Sequence, residues 1–171
     1  MTNSIEEIED AEVMFVIGSN TTEAHPVLAL RMKKAMRRGA KLIVADPRRT
    51  WLAERATIHL PLRPGTDIPL VNAMAHVILE EGLEDQDYIN THTENFEALR
   101  DAVSKWTPEK AAEVCHVSAD DIREAARIYA THEKSGIYYT LGITERICGV
   151  DNVRGLSNLA LLTGHIGVPS A

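Results

Sequence analysis

Apolar positions along the chain fall into two kinds of run. The first is short and unbroken. Val13-Met14-Phe15-Val16-Ile17 and Lys41-Leu42-Ile43-Val44-Ala45 are apolar at nearly every position, the pattern of strands buried on both faces. The second recurs every three to four residues, as in the amphipathic run 27–37 and in Leu70, Val71, Met74, Val77 and Ile78. That is the period of a helix with one face on a core. Polar punctuation separates the two. Gly18-Ser19-Asn20 stops the first strand with turn chemistry. Pro26 suits the first turn of a helix, where its missing N–H would have no partner anyway. Gly39 closes that helix behind Lys33, Lys34, Arg37 and Arg38, which favour the negative end of its dipole. Two strands joined by one helix predict a right-handed crossover with parallel strands.

The pattern then continues. Residues 51–56 read as a short helical turn. Residues 57–62 alternate as a third, shorter strand, and Pro61 places it near an edge or at the strand's end. Arg63-Pro64-Gly65-Thr66-Asp67 is a turn, and Asp67 is positioned to cap the helix that Gly82 ends. Residues 83–131 read as helical throughout. Phe96, Leu99, Val103 and Trp106 form one stripe, Pro108 opens a further helix, and Ser118-Ala119-Asp120-Asp121 is a capping box with Asp in place of Glu. This block is expected to be a structural insertion packed on one face of the sheet, because apolar stripes at helical spacing are ordinarily core. Residues 136–142 return to strand. Gly149 and Asp151 precede a last helix, 152–162, with Val153, Leu156, Leu159 and Ala160 facing inward. The expected fold class is α/β: a parallel sheet with helices on both faces, in a single domain of residues 1–171 with a helical insertion at about 83–131.

Composition narrows the function. The 171 residues carry a formal net charge of −7, which argues against a nucleic-acid binder. No apolar run approaches the roughly 18 residues of a membrane span, so no membrane contact is expected of this segment. The acidic first ten residues are unlike a signal peptide, and a cytoplasmic setting is expected. Cys115 and Cys148 are too few for a disulfide framework and lack metal-ligand spacing, which leaves two free thiols. His25, His59 and His165 have no metal spacing among them, so no metal ligand is assigned. Ser19, Ser157 and Thr163 lack the context of a nucleophile elbow. The turn-rich close, 164–171, is the end of a natural domain or of a segment cut from a longer chain.

Three polar loops follow the first three strands, and in a parallel sheet they open on one rim. The first, Gly18 to His25, offers backbone N–H groups beside a helix start, which suits either a structural turn or an anion cradle. It is not GxGxxG, so the nicotinamide fingerprint is absent. The second, Asp46-Pro47-Arg48-Arg49, offers a carboxylate of the kind that meets ribose hydroxyls and arginines that can face phosphates or stack on a base. In the third, the Asp67 carboxylate can accept two hydrogen bonds from a guanine edge. Taken singly, Asp46 reads as a turn former and Asp67 as a cap; taken together, the three loops point to a nucleotide site. Arg154 is a cation one turn into an otherwise apolar helix. It either reaches solvent or faces a polar cavity and holds an anion.

These motifs resemble the catalytic subunit of molybdenum- or tungsten-dependent formate dehydrogenases, within the molybdopterin oxidoreductase family. The matching runs are Met1-Thr2-Asn3-Ser4-Ile5, Val16 through Pro26, Ala45-Asp46-Pro47-Arg48-Arg49-Thr50 and Leu62-Arg63-Pro64-Gly65-Thr66-Asp67. The last match, Gly142-Ile143-Thr144 through Asp151-Asn152-Val153-Arg154 and Asn158 through Gly164, separates formate dehydrogenases best.

The resemblance implies a Rossmann-like portion holding one of two molybdopterin guanine dinucleotides on a molybdenum or tungsten ion. Gly18, Ser19, Asn20, Thr21, Glu23 and His25 would lie toward the pyrophosphate. Asp46, Pro47 and Arg48 would meet the ribose and guanine side, and Gly65, Thr66 and Asp67 the guanine edge. Arg154 would orient the carboxylate of formate. The partners implied are formate, the remainder of the catalytic subunit and electron-transfer subunits.

The chain departs from the family pattern at several points. It lacks the Cys- or selenocysteine-His metal ligand, the four-cysteine iron–sulfur motif and the electron-relay lysine. Cys115-His116 matches the ligand dipeptide only superficially, since it lies within the helical block. Arg146 stands where the family commonly has His after Glu or Gln. The resemblance therefore implies an internal fragment that alone does not oxidise formate. The alternatives are a domain of another molybdopterin oxidoreductase, such as a nitrate reductase, and a non-enzymatic nucleotide-binding module.

Overall fold

The computed structural model describes residues 2–171; Met1, the first residue of one matching run, lies outside them. Strands β1 (Val13–Ile17), β2 (Lys41–Ala45), β3 (Ile58–Leu60) and β4 (Ser135–Tyr139) form one sheet in the order β3-β2-β1-β4. Every pairing is parallel. Val13 to Ile17 lie opposite Lys41 to Ala45 on one side and Ser135 to Tyr139 on the other. All five side chains of β1 are fully buried. A central strand covered on both faces has no solvent side, hence no polar alternation.

Successive residues of β1 point to opposite faces. Val13, Phe15 and Ile17 join Ile43, Leu60 and the helical block in one core. Met14 and Val16 join Leu42, Val44, Met32 and Leu52 in the other. The second core is covered by α2 (Pro26–Arg37), which follows the short helix α1 (Thr21–Ala24), and by 3₁₀ turns at Glu6–Asp10 and Ala53–Arg55. Glu9 ties the first of these turns to α2 through Arg31 and through Lys34 Nζ at 3.0 Å.

The first core is covered by α3 (Asp67–Glu80), α5 (Phe96–Ser104), α6 (Pro108–Cys115), α7 (Ala119–Ala130) and α9 (Gly149–Leu162), with α4 (Gln86–His92) and α8 (Leu141–Thr144) at the periphery. Thr107 Oγ1 caps α6 by accepting from Lys110 N–H, and the expected Ser118 cap of α7 accepts from Asp121 N–H. Gly39 and Gly82 take positive φ behind their helices.

Five expectations shift. The fourth strand ends at Tyr139, and Leu141 and Gly142, expected in it, open the short helix α8. The third strand shortens to Ile58–Leu60, at the sheet edge where Pro61 placed it. The block 83–131 is four separate helices, three of them opened by a side-chain cap, at Asp85, Thr107 and Ser118, while α5 follows Asn95 in the left-handed region without one. The last helix begins three residues early, at Gly149, and Val153 and Ala160 on it are only partly buried. Thr66, not Asp67, occupies the cap position of α3, and its side chain makes no cap bond. Among the described residues no helix is long and apolar enough to cross a membrane.

Candidate functional site

The strand order decides where a ligand can sit. The chain runs outward from β1 to β3, then returns to add β4 on the other side of β1. Strand order reverses between β1 and β4, and loops leaving the two C-terminal ends there diverge to leave a crevice. A cleft of about 440 Å³ opens at that rim. The loop after β1 contributes Gly18, Asn20, Glu23 and Ala24, and the loop after β2 contributes Asp46, Pro47 and Arg48. Leu62, Pro64 and Asp67 come from the segment after β3, and Thr140, Leu141, Gly142 and Arg146 from that after β4.

Gly18 has φ +57° and packs against the β4 loop. Its carbonyl accepts from Gly142 N–H at 3.2 Å and from Thr140 Oγ1 at 3.1 Å. The glycine is therefore required by a close backbone approach, whatever the cleft binds. Asn20 stands just before α1, and its Oδ1 accepts from Thr22 Oγ1 at 3.1 Å.

Asp46 is buried and already engaged. Its Oδ1 accepts from Arg48 N–H at 2.8 Å and from Arg48 Nε at 3.2 Å, and its Oδ2 lies 3.4 Å from a terminal nitrogen of the same guanidinium. The His59 ring is bonded through Nε2 to the Asp46 carbonyl at 2.9 Å. The turn-forming role is thus realised, and the carboxylate holds Arg48 in place while both border the cleft.

Asp67 is the opposite case. It is 5 % exposed, and Oδ2 finds no hydrogen-bond donor among the described residues. Burial raises its pKa above the ordinary aspartate value, against the pull of its own backbone N–H and of the Arg146 guanidinium. An unpartnered buried carboxylate oxygen is costly unless something else supplies the donor.

The loop that carries Asp67 is braced from α6. Arg63 N–H donates to the Cys115 carbonyl at 2.8 Å, and Cys115 Sγ donates to the Thr66 carbonyl at 3.4 Å. Thr66 Oγ1 donates to the Arg63 carbonyl at 2.6 Å. Cys115 is buried, and desolvation pushes its thiol pKa up. Cys115 is therefore a brace for this turn, while His116 ends α6 in the left-handed region and is exposed. Gly65, at φ +88°, makes the turn and is exposed. Gly65 and Thr66 flank the cleft without lining it.

Three expected contacts separate from the cleft. Ser19, Thr21 and His25 face a second cavity of about 580 Å³ beyond β4, bordered by Tyr129, Tyr138 and His165. There Ser19 Oγ and Thr21 Oγ1 lie 3.1 Å apart. One loop thus divides between two sides of the sheet edge, because adjacent residues diverge as the chain turns. Arg154 is also elsewhere. Its side chain is 74 % exposed, 3.5 Å from Asp151, and it does not line the cleft. Of the two readings of this cation, the structure shows the first: the residue reaches solvent. Among the described residues no group of three His, Cys, Asp or Glu side chains is placed to hold a metal ion.

The residues that sequence reasoning missed are those of the β4 loop, Thr140, Leu141, Gly142 and Arg146. Gly142 and Arg146 carried a signal within the Gly142–Arg154 motif. Nothing local showed that β4 lies beside β1.

Comparison with known proteins agrees with this geometry. The chain is 48% identical over 167 residues to the alpha subunit of a formate dehydrogenase of Methanocaldococcus jannaschii, covering 98% of this chain and 25% of that protein. It is 44% identical over 177 residues to a nitrate reductase of Symbiobacterium thermophilum, covering 97% of this chain and 24% of that protein. The solved structure of acetylene hydratase from Pelobacter acetylenicus superposes with a TM-score of 0.87 at 30% identity, over 95% of this chain and 24% of that one. The chain thus spans about a quarter of the relatives it matches. The profile of the molybdopterin oxidoreductase family matches residues 1–170, and with the parallel sheet and its rim cleft this establishes that the chain belongs to the molybdopterin oxidoreductase family.

Proposed function

We propose that the rim cleft holds the guanine nucleotide end of a molybdopterin guanine dinucleotide, and that the chain is part of a formate dehydrogenase catalytic subunit. The observation that carries the first part is Asp67, a buried carboxylate with one oxygen left without a donor at the edge of the cleft. The Watson–Crick edge of guanine offers two adjacent N–H donors, and a carboxylate accepts both. Gly65 and Thr66 shape the turn that presents Asp67. Asp46, Pro47 and Arg48 border the ribose side, and Gly18 and Asn20 border the phosphates. Glu23 bounds the same end of the cleft. Ser19, Thr21 and His25 support the first loop from the side of the second cavity.

When bound, the pterin supplies the sulfur ligands of a molybdenum or tungsten ion that accepts the electrons of the substrate. This chain contributes binding and orientation. The metal ligand, an iron–sulfur cluster, the remainder of the subunit and electron-transfer subunits lie outside these residues in the reading proposed. The part of Arg154 toward formate rests on sequence resemblance alone, and its exposure requires a second surface from the rest of the subunit.

The test is a titration of the 171-residue chain with GDP and ADP. The expected result is saturable binding of GDP in preference to ADP, with the preference lost in Asp67→Asn. Equal affinity for both nucleotides, or a preference that survives Asp67→Asn, overturns the guanine assignment. The similarity to a nitrate reductase supports a second reading for the substrate. Turnover of formate against nitrate by the complete protein separates the two.

A further inference from the structure

We propose that Arg146, and not Arg48, is the residue of this cleft that takes the phosphate groups of the bound nucleotide. The inference deepens the nucleotide reading of the cleft and rests on it.

Two guanidiniums border the cleft. Arg48 is committed: three contacts of 2.8, 3.2 and 3.4 Å bind its backbone and side chain to the Asp46 carboxylate. Its guanidinium is paired before any ligand arrives. Arg146 differs. Its Nε donates to the Gly142 carbonyl at 3.0 Å, and among the described residues it makes no ion pair. Both terminal nitrogens remain open. A guanidinium fixed at Nε presents its remaining N–H groups as a planar fork, the geometry that bidentate phosphate binding uses. The anchoring also removes side-chain entropy before binding, so less is lost when a phosphate is gripped.

Position supports the same assignment. Asp67 follows β3 and Arg146 follows β4, and both line the one cleft, so a nucleotide whose base meets Asp67 lies within reach of Arg146. Charge supports it as well. Asp46, Asp67 and Glu23 all border the cleft. With Asp46 paired to Arg48, a phosphate entering beside the Asp67 and Glu23 carboxylates needs a cation with no ion pair of its own, and among the described residues that line the cleft Arg146 is that cation. The sequence pattern assigns this position no role, and its arginine departs from the histidine common in the family.

The test compares guanosine with GDP on the 171-residue chain, by calorimetry, in the wild type, Arg146→Gln and Arg146→Lys, with far-UV circular dichroism to confirm the fold. Arg146 is exposed, so both variants are expected to fold. The expected result is a loss of GDP affinity on the order of tenfold or more in Arg146→Gln, the scale of a charge-assisted contact. Guanosine affinity stays at the wild-type value. Arg146→Lys recovers part of the loss, and the salt dependence of GDP binding is weaker in Arg146→Gln. A wild-type GDP-to-guanosine ratio in Arg146→Gln overturns the assignment of Arg146 and leaves the cleft reading intact. Failure of the wild type to bind either compound overturns the cleft reading itself, and this inference with it.

Discussion

Gly142 donates its N–H to the carbonyl of Gly18 at 3.2 Å, and a Cβ built on Gly142 would lie 2.4 Å from that same carbonyl oxygen. This contact joins the ends of β1 and β4 where the strand order reverses. It sets how closely the two loops approach and so forms one wall of the cleft.

Gly142→Ala is expected to force this wall open. The atoms it meets are backbone, which cannot swing aside as a side-chain tip does. The expected loss is about 1–3 kcal/mol, the usual range for overpacking, with weaker GDP binding. Gly155→Ala in α9 is the contrasting case. Its nearest neighbour is Val71 Cγ1 at 3.6 Å, an ordinary contact, and removing a glycine from a helix interior stabilises by about 0.5–1 kcal/mol. Urea denaturation of the two variants measures both; equal and opposite signs to these would contradict the packing described.

Asp67 sets function against stability. Its pKa in the folded chain is raised, chiefly by burial. Between the unfolded value of about 3.9 and the raised folded value, the native state binds more protons than the unfolded chain. Stability contributed at Asp67 therefore falls as pH rises through that window. Asp67→Asn removes the titration. Its Tm relative to wild type is expected to climb as pH rises above about 4, while guanine preference is lost. Calorimetry across pH checks the first outcome.

His165 works in the reverse direction. It is buried, with Nδ1 2.8 Å from Thr163 Oγ1 and Nε2 3.0 Å from the His132 carbonyl. Burial depresses its pKa below the ordinary histidine value, opposed by the His132 carbonyl and by Asp85. The unfolded chain takes up the proton first, so stability is lost as pH falls below about 6.5. His165→Gln is expected to flatten that acid slope. A slope unchanged in the variant assigns the acid sensitivity to other groups.

Arg154→Ala is expected to change stability by no more than about 0.5 kcal/mol, because its partner Asp151 is itself exposed and such pairs contribute little. In the complete protein, loss of formate turnover at unchanged stability would assign Arg154 a role at a surface that the rest of the subunit supplies. Unchanged turnover would remove the clamp from the mechanism.

Much of the fold is local and was legible for that reason. Val13–Ile17 and Lys41–Ala45 appear as strands with the expected bounds, because an unbroken apolar run reports burial on both faces wherever its neighbours come from. Pro26 and Gly39 bracket α2 because their backbone constraints act on their own residues. The Asp46 turn was legible in the same way. Ser19 and Thr21 were misplaced relative to Gly18 and Asn20 because the direction of each residue in a turning loop depends on what packs beside it.

What the sequence determined by itself is the first two strands and the helix between them, their parallel pairing and three of the four polar loops on the rim. The tertiary structure decided the rest. It placed β4 beside β1, which put the crevice there and brought Gly142 and Arg146 to it. It left Asp67 buried without a donor for Oδ2, and it turned Arg154 to solvent. The physical reason is one of range. Periodicity, caps and turns record interactions within a few residues, whereas strand order and burial depend on contacts between residues such as Gly18 and Gly142, far apart along the chain and adjacent only after folding.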